Sequence, residues 1–210
     1  MSEDQETRNM VPAILEGSTV LATGPIAISL HNKGYYGIPE HEGVKLNGFE
    51  ALHLLELGRI KIKKDDEYLT EENVLSFFSD ILPQFTLRYL VYKDLRNRGY
   101  ILNLGSGSSF FFRLYARNTK PKLDGAKYYV TCLREGGSIQ LNDLESLIEI
   151  ARKSSKLLII GMVDAIGDVS YLEATKIKPS ELDDKIYSNF SDWNWKELWD
   201  EYSKLEKSEI

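Results

Sequence analysis

Cysteine, histidine and long apolar runs are scarce in this sequence of 210 residues, and each scarcity excludes a kind of chemistry. Cys132 is the only cysteine, so there is no internal disulfide and no cysteine-based zinc site. A reducing, cytoplasmic setting is the expectation. The three histidines, His31, His41 and His53, lack metal-ligand spacing, so no metal or other cofactor is expected. No imidazole follows residue 53, and no Ser-His-Asp or Cys-His arrangement is visible. Every apolar run falls short of the ~20 residues a membrane-spanning helix needs. The opening MSEDQETRNM is acidic and polar, unlike a signal peptide, so no membrane partner is expected. Residues 105–108, GSGS, lack the Lys-Ser/Thr of a phosphate-binding loop and sit between two strand patterns; they read as a β-turn.

What is present fits a globular chain: 42% hydrophobic and 28% charged residues. The net charge of −6 argues against a free-standing nucleic-acid binder. That average hides a pattern. Residues 1–85 hold 7 Lys/Arg against 14 Asp/Glu, residues 86–135 hold 10 against 3, and residues 136–210 hold 9 against 15. A basic middle between acidic flanks could touch phosphate locally or bind an acidic surface on a partner chain.

Periodicity divides the chain into residues 1–82, a small mixed unit; residues 83–179, a second domain beginning at Pro83; and an acidic extension, 180–210. In the first unit, Thr19–Ala22 and Ile26–His31 have strand composition, and 34–42 is turn-rich. Gly48–Leu57 has helical spacing with a stop at Gly58. Arg59–Lys63 alternates Ile60 and Ile62 with basic residues, as an exposed strand would, and Thr70–Ile81 is a short helix. In the second, Thr86–Arg98 is a helix with Leu87, Leu90, Val91 and Leu95 on one face. Strands follow at Tyr100–Leu104, Ser109–Ala116 and Ala126–Arg134. Asn142 and Glu145 form a capping-box pattern ahead of a helix that turns Leu144, Leu147, Ile148 and Ala151 inward. The run Lys156–Asp164 (KLLIIGMVD) reads as a strand buried on both faces, and Asp168–Ile177 as the last strand. The order predicts an α/β (α+β) fold with a mixed sheet flanked by helices. Trp195, Trp199 and Tyr202 share a helical face in the extension, which suits a docked terminal helix or a partner-binding one.

The stretch VYKDLRNRGY (91–100), followed by a strand pair ending in Tyr115 and by Lys156–Asp164, resembles the archaeal tRNA-splicing (tRNA-intron) endonuclease family. The family's Tyr-x-Asp-Leu-Arg-x-Arg-Gly block is matched by Tyr92, Asp94, Leu95, Arg96, Arg98 and Gly99. Its apolar strand opens on a lysine eight residues before an aspartate, matched by Lys156 and Asp164. KLNGFEALHLLELGRIKI (45–62) resembles its N-terminal helix-strand unit, so the resemblance covers residues 17–178. It implies a nuclease-like (restriction-endonuclease-like) C-terminal domain. It also implies metal-independent cleavage of precursor tRNA at bulge-helix-bulge sites: the RNA's 2′-hydroxyl attacks the adjacent phosphorus, leaving a 2′,3′-cyclic phosphate and a 5′-hydroxyl. Such a step needs a base, an acid and a cation for the charged transition state. The family uses Tyr, His and Lys.

Carried over by position, Tyr115 falls on the tyrosine and Lys156 on the lysine, but Gly125 falls on the histidine. The family's Gly-x-Lys-Phe-Gly turn becomes Gly105–Ser109 and loses its lysine. An arginine seven residues before the catalytic lysine becomes Glu149, which repels phosphate. Loss of the acid alone is worth about 10²–10⁴ in rate. The resemblance therefore implies a structural, non-catalytic subunit with vestigial Tyr115 and Lys156, working beside a catalytic paralog in an (αβ)₂ heterotetramer. The alternatives are a catalytic subunit whose acid is displaced to Lys120, Lys122 or Asp124, or an RNA-binding scaffold that kept only the fold. Arg113, Arg117 and Lys120 are candidate RNA or partner contacts. The loop Asp164-Ala165-Ile166-Gly167-Asp168 is the candidate subunit contact, with Ala165 and Ile166 where acidic residues are usual in the family.

Overall fold

The sequence VPAILE alternates strictly, and in β1 (Val11–Glu16) it buries Val11, Ala13 and Leu15 while Pro12, Ile14 and Glu16 face out. A computed structural model describes residues 10–105, 111–121 and 123–176. β1 pairs antiparallel with β2 (Thr19–Thr23) and parallel with β5 (Ile60–Lys64). The short β3 (Ile38–Glu40), β4 (Gly43–Leu46) and β6 (Glu67–Tyr68) complete a six-stranded sheet in the order β3-β4-β2-β1-β5-β6. Around it lie α1 (Ala27–Gly34), α2 (Gly48–Glu56) and α3 (Glu71–Ile81). α4 (Phe85–Asn97) leads into the second sheet, ordered β11-β10-β9-β8-β7. Its strands are β7 (Ile101–Leu104), β8 (Phe112–Tyr115), β9 (Tyr128–Arg134), β10 (Leu157–Val163) and β11 (Val169–Ala174). β9 and β10 run parallel, joined by α5 (Leu141–Lys153); all other pairs in this sheet are antiparallel. The fold is mixed α/β with two mixed sheets, as the pattern predicts. No helix among the described residues is long and apolar enough to cross a membrane.

Residues up to Ala174 form one unit in which both sheets share a core. Aromatic rings on α4 supply the join. Phe85 stacks on Phe49 of α2 at 4.7 Å and on Phe78 of α3 at 5.4 Å. Phe112 of β8 meets Phe49 edge-on at 5.3 Å and Tyr92 at 5.7 Å. Each such pair adds about 0.5–1.5 kcal/mol beyond burial of its area. The aliphatic spacing on α4 captured half of this face: Val91 and Leu95 are buried, Leu87 and Leu90 half-buried, and Phe85, Tyr89 and Tyr92 complete it.

Five sequence expectations need correction. Ile26–His31 is not a strand: Gly24-Pro25 ends β2, and α1 buries Ala27 and Leu30 one turn apart while Ile26 and Ile28 stay exposed. The β-branched residues that suggested a strand lie on its wet side. Residues 34–42 are not simply turn, because β3 lies within them. Strand β5 is half-buried rather than exposed, with Ile60 and Ile62 in the core. Asn142 caps nothing: α5 begins at Leu141, and Gln140 stands at its cap without a side-chain bond. β10 is not buried on both faces, since Leu157 is exposed and Ile159 and Met162 are half-buried.

Candidate functional site

Strand alternation sorts the C-terminal sheet into two faces. Leu102, Phe112, Leu114 and Val130 face α4 and the shared core. The opposite face carries Asn103, Arg113, Tyr115, Tyr129 and Leu158, and α5 covers part of it by packing Leu144, Leu147, Ile148 and Ala151 around Tyr129 and Leu158. Those four are the residues that the periodicity turned inward; only Ala151 is fully buried.

Tyr115 and Lys156 come to the same end of this face. The registers pair Leu114 with Tyr128 and Tyr128 with Leu157. The bonds Lys127 N to Leu114 O (3.0 Å) and Leu157 N to Lys127 O (3.3 Å) carry the ladder one residue further. Tyr115 and Lys156 thus flank the backbone position of Lys127, one strand away on either side, about 10 Å apart at Cα. Sequence reasoning passed over Lys127; only the three-strand register marks it. Its Nζ leans to 5.2 Å from the Tyr128 ring.

Tyr115 is buried, and its hydroxyl accepts a hydrogen bond from Asn103 Nδ2 at 3.3 Å. Lys156 Nζ donates to Ser154 O at 3.3 Å and lies 5.9 Å from the Tyr129 ring. Gly125 ends the loop between β8 and β9. A Cβ added there meets nothing within 4 Å, and its φ lies outside the positive range. Neither space nor backbone conformation requires glycine at this position.

That loop is held by its own acid. Asp124 Oδ2 accepts from Lys120 N at 2.8 Å, and Asp124 N and Leu123 N both donate to Lys120 O. Lys120 itself is exposed; Lys122 lies outside the described residues, as do Ser106–Phe110 and the tryptophan-bearing extension. Glu149 sits on α5, 3.4 Å from Arg152.

Most basic residues of the middle segment have structural partners. Arg88 stacks on Phe111 at 3.7 Å, Lys93 pairs with Glu56 at 2.8 Å and Arg98 with Asp94 at 2.7 Å. Arg113 donates from Nε to Leu104 O at 3.2 Å, and Arg117 lies over the Tyr100 ring at 4.7 Å. Arg96 donates from Nη2 to Gly34 O at 2.8 Å and from Nη1 to Tyr100 O at 3.3 Å, and stacks on Tyr36 at 3.8 Å. Asp94 also accepts from Tyr171 Oη at 2.7 Å, tying α4 to β11. The block Tyr92–Gly99 is therefore a clamp between the two sheets, away from the Tyr115 end. Burial, with the charge of Arg96 adding to it, holds His53 down at about 4, so this imidazole is a neutral core group.

At the far edge, Asp164 Oδ1 accepts from Ile166 N and Asp168 N, both at 2.9 Å, and Gly167 takes φ +94°. The hairpin is folded around its own carboxylate and presents Ile166, 85% exposed, at its tip. Among the described residues no three of His, Cys, Asp or Glu cluster as a metal site would.

Comparison with known proteins follows this geometry closely. Residues 11–75 match the family model of the tRNA intron endonuclease N-terminal domain, and residues 85–171 that of the tRNA intron endonuclease catalytic C-terminal domain. The tRNA-splicing endonuclease of Methanothermobacter thermautotrophicus is 34% identical over 161 residues, 77% of this chain and 93% of that protein. That of Pyrococcus abyssi is 31% identical over 172 residues, 81% of this chain and 99% of its own length. That of Methanosarcina acetivorans is 32% identical over 165 residues, 79% of this chain but 46% of that longer protein.

Proposed function

The chain belongs to the tRNA intron endonuclease family, and from that premise we propose that it is a non-catalytic subunit of a tRNA-splicing endonuclease, presenting precursor tRNA to a catalytic paralog. One observation carries the reading: Gly125, at the position where the family places its histidine, has open space and an unexceptional φ. A glycine that nothing in the fold demands leaves the leaving 5′-oxygen without a proton donor. Tyr115, bonded to Asn103, remains available as a base, and Lys156 as a cation. A base and a cation without an acid assist attack but not departure.

Two features support a multi-unit assembly, proposed here as (αβ)₂. Strand β11 is a sheet edge with Leu172 half exposed, and beside it the apolar tip Ile166 projects; a second unit would cover both. Some relatives are also more than twice as long as the segment they share with this chain, whereas others match it nearly end to end. Chain length would vary in this way if units worked in multiples.

A second reading follows from the register that sets Lys127 between Tyr115 and Lys156: a catalytic subunit with an ammonium as displaced acid. One experiment separates the two. Tyr115→Phe is made in this chain and, separately, at the paralog's corresponding tyrosine, and the reconstituted complex is assayed on intron-bearing precursor tRNA. The proposal expects the first change to alter the cleavage rate less than twofold and the second to abolish cutting. Loss of half or more of the product with the first change overturns it.

A further inference from the structure

A cavity of about 590 Å³ lies between the N-terminal elements α1, β3, β4 and α2 and the β7–β8 edge, on the Tyr115 side of the sheet. Its volume falls within the range of small-molecule sites, and its walls are mostly apolar, with Ile38, Pro39, Leu46 and Pro121 among them. Three polar side chains line it. His31 Nδ1 is 2.9 Å from Gly37 O, so that nitrogen carries the hydrogen and Nε2 of the neutral ring is an acceptor; Nε2 is buried without a partner. Asn103 donates from Nδ2 to Tyr115 Oη, which leaves Oδ1 as a second acceptor. Arg113 has Nε committed to Leu104 O, with its terminal amines beyond that bond. Glu50 is already engaged, accepting from Gly37 N at 2.8 Å and Asn47 N at 2.9 Å.

We propose that this cavity takes a purine base, guanine by preference, from an unpaired nucleotide. The wall offers two acceptors beside one guanidinium. An anion such as phosphate or carboxylate would leave both acceptors unpaired, and a hydrocarbon would leave all three groups unpaired. A guanine ring satisfies them together: O6 and N7 accept from Arg113, while N1–H and the 2-amino group donate to Asn103 Oδ1 and His31 Nε2. The apolar wall contacts the ring faces. Through Asn103, the bound base is one hydrogen bond from Tyr115, so the pocket would fix the register of an RNA strand at that position. This last point rests on the proposed role in tRNA splicing; the ligand assignment does not.

The test uses the full-length chain alone, titrated with guanosine 5′-monophosphate and followed by amide chemical shifts. Saturable shifts at residues 31–50 and 103–113, at least tenfold weaker in both Asn103→Leu and Arg113→Ala, are expected. Inorganic phosphate should produce none of them. No saturation at millimolar nucleotide, an equal response to phosphate, or unchanged affinity in both variants overturns the assignment. Thermal unfolding confirms that each variant is folded; either one suffices if the other is not. Because no paralog or cleavage enters this measurement, its failure leaves the proposed subunit role standing. Failure of reconstituted splicing, in turn, does not touch the nucleotide titration.

Discussion

Gly125 is the residue on which catalysis turns, and its surroundings make it a direct test. With no atom within 4 Å of an added Cβ, Gly125→His should fold with a stability change within about 0.5 kcal/mol. Restoring an acid beside Tyr115 and Lys156 should raise residual cleavage by about 10²-fold or more, and the gain should vanish when Tyr115→Phe is added. Urea titration and a cyclic-phosphate product assay check the two halves. His53 gives a pH signature. Its folded value near 4 lies below the ordinary 6.5, so the unfolded chain binds the extra proton between them. Stability should fall as pH drops from about 6.5 to about 4 and level off below that. Glu50 acts in the opposite sense, because burial raises its carboxyl above the usual range. Comparing His53→Gln with the parent isolates the histidine: the variant's stability should lose the decline between those two pH values. The missing histidine, Tyr115 and Lys156 were all legible as positions in the sequence. The partnership of Tyr115 with Asn103 was not, because it depends on the β7–β8 pairing rather than on any local pattern.

At the scale of elements, α4 is the hinge pin. Its Tyr92–Gly99 block gave the strongest family signal in the sequence, and the structure accounts for it by packing: Arg96 reaches Gly34 and Tyr100, and Asp94 reaches Tyr171. Arg96→Ala removes two charge-assisted bonds and a stacking contact and should cost about 2–4 kcal/mol; Arg96→Lys should recover only part of that, because the fork to two carbonyls is lost. Denaturant midpoints at constant m-value check this. Elements with strong periodicity, such as α2 and α3, were readable, and both carry capping boxes, from Asn47 with Glu50 and from Thr70 with Asn73. α1 was misread because local composition favoured a strand, whereas tertiary packing selects Ala27 and Leu30. β3 and β4 were missed because strands of three and four residues carry too little alternation to register. The basic middle segment was visible as charge, but charge counts do not reveal that Arg88, Lys93, Arg96, Arg98, Arg113 and Arg117 are held by rings, carbonyls and carboxylates of the same chain.

For the molecule as a whole, two sheets share one core, and the face holding Tyr115 continues from the cavity at the β7 edge to the helix α5. The mixed α/β class was legible from element order alone. The joining of the sheets was not, since it rests on rings from α2, α3, α4 and β8 that meet only in three dimensions. A face with a base and a cation, a vacant acid position and an open sheet edge beside an exposed Ile166 suits a unit that completes its function with others. The most direct test is cleavage of an intron-bearing precursor tRNA under single-turnover conditions by the purified chain alone. The account predicts no cyclic-phosphate product above background until the catalytic paralog is added. Intron release by the chain alone, abolished by Tyr115→Phe, would contradict it.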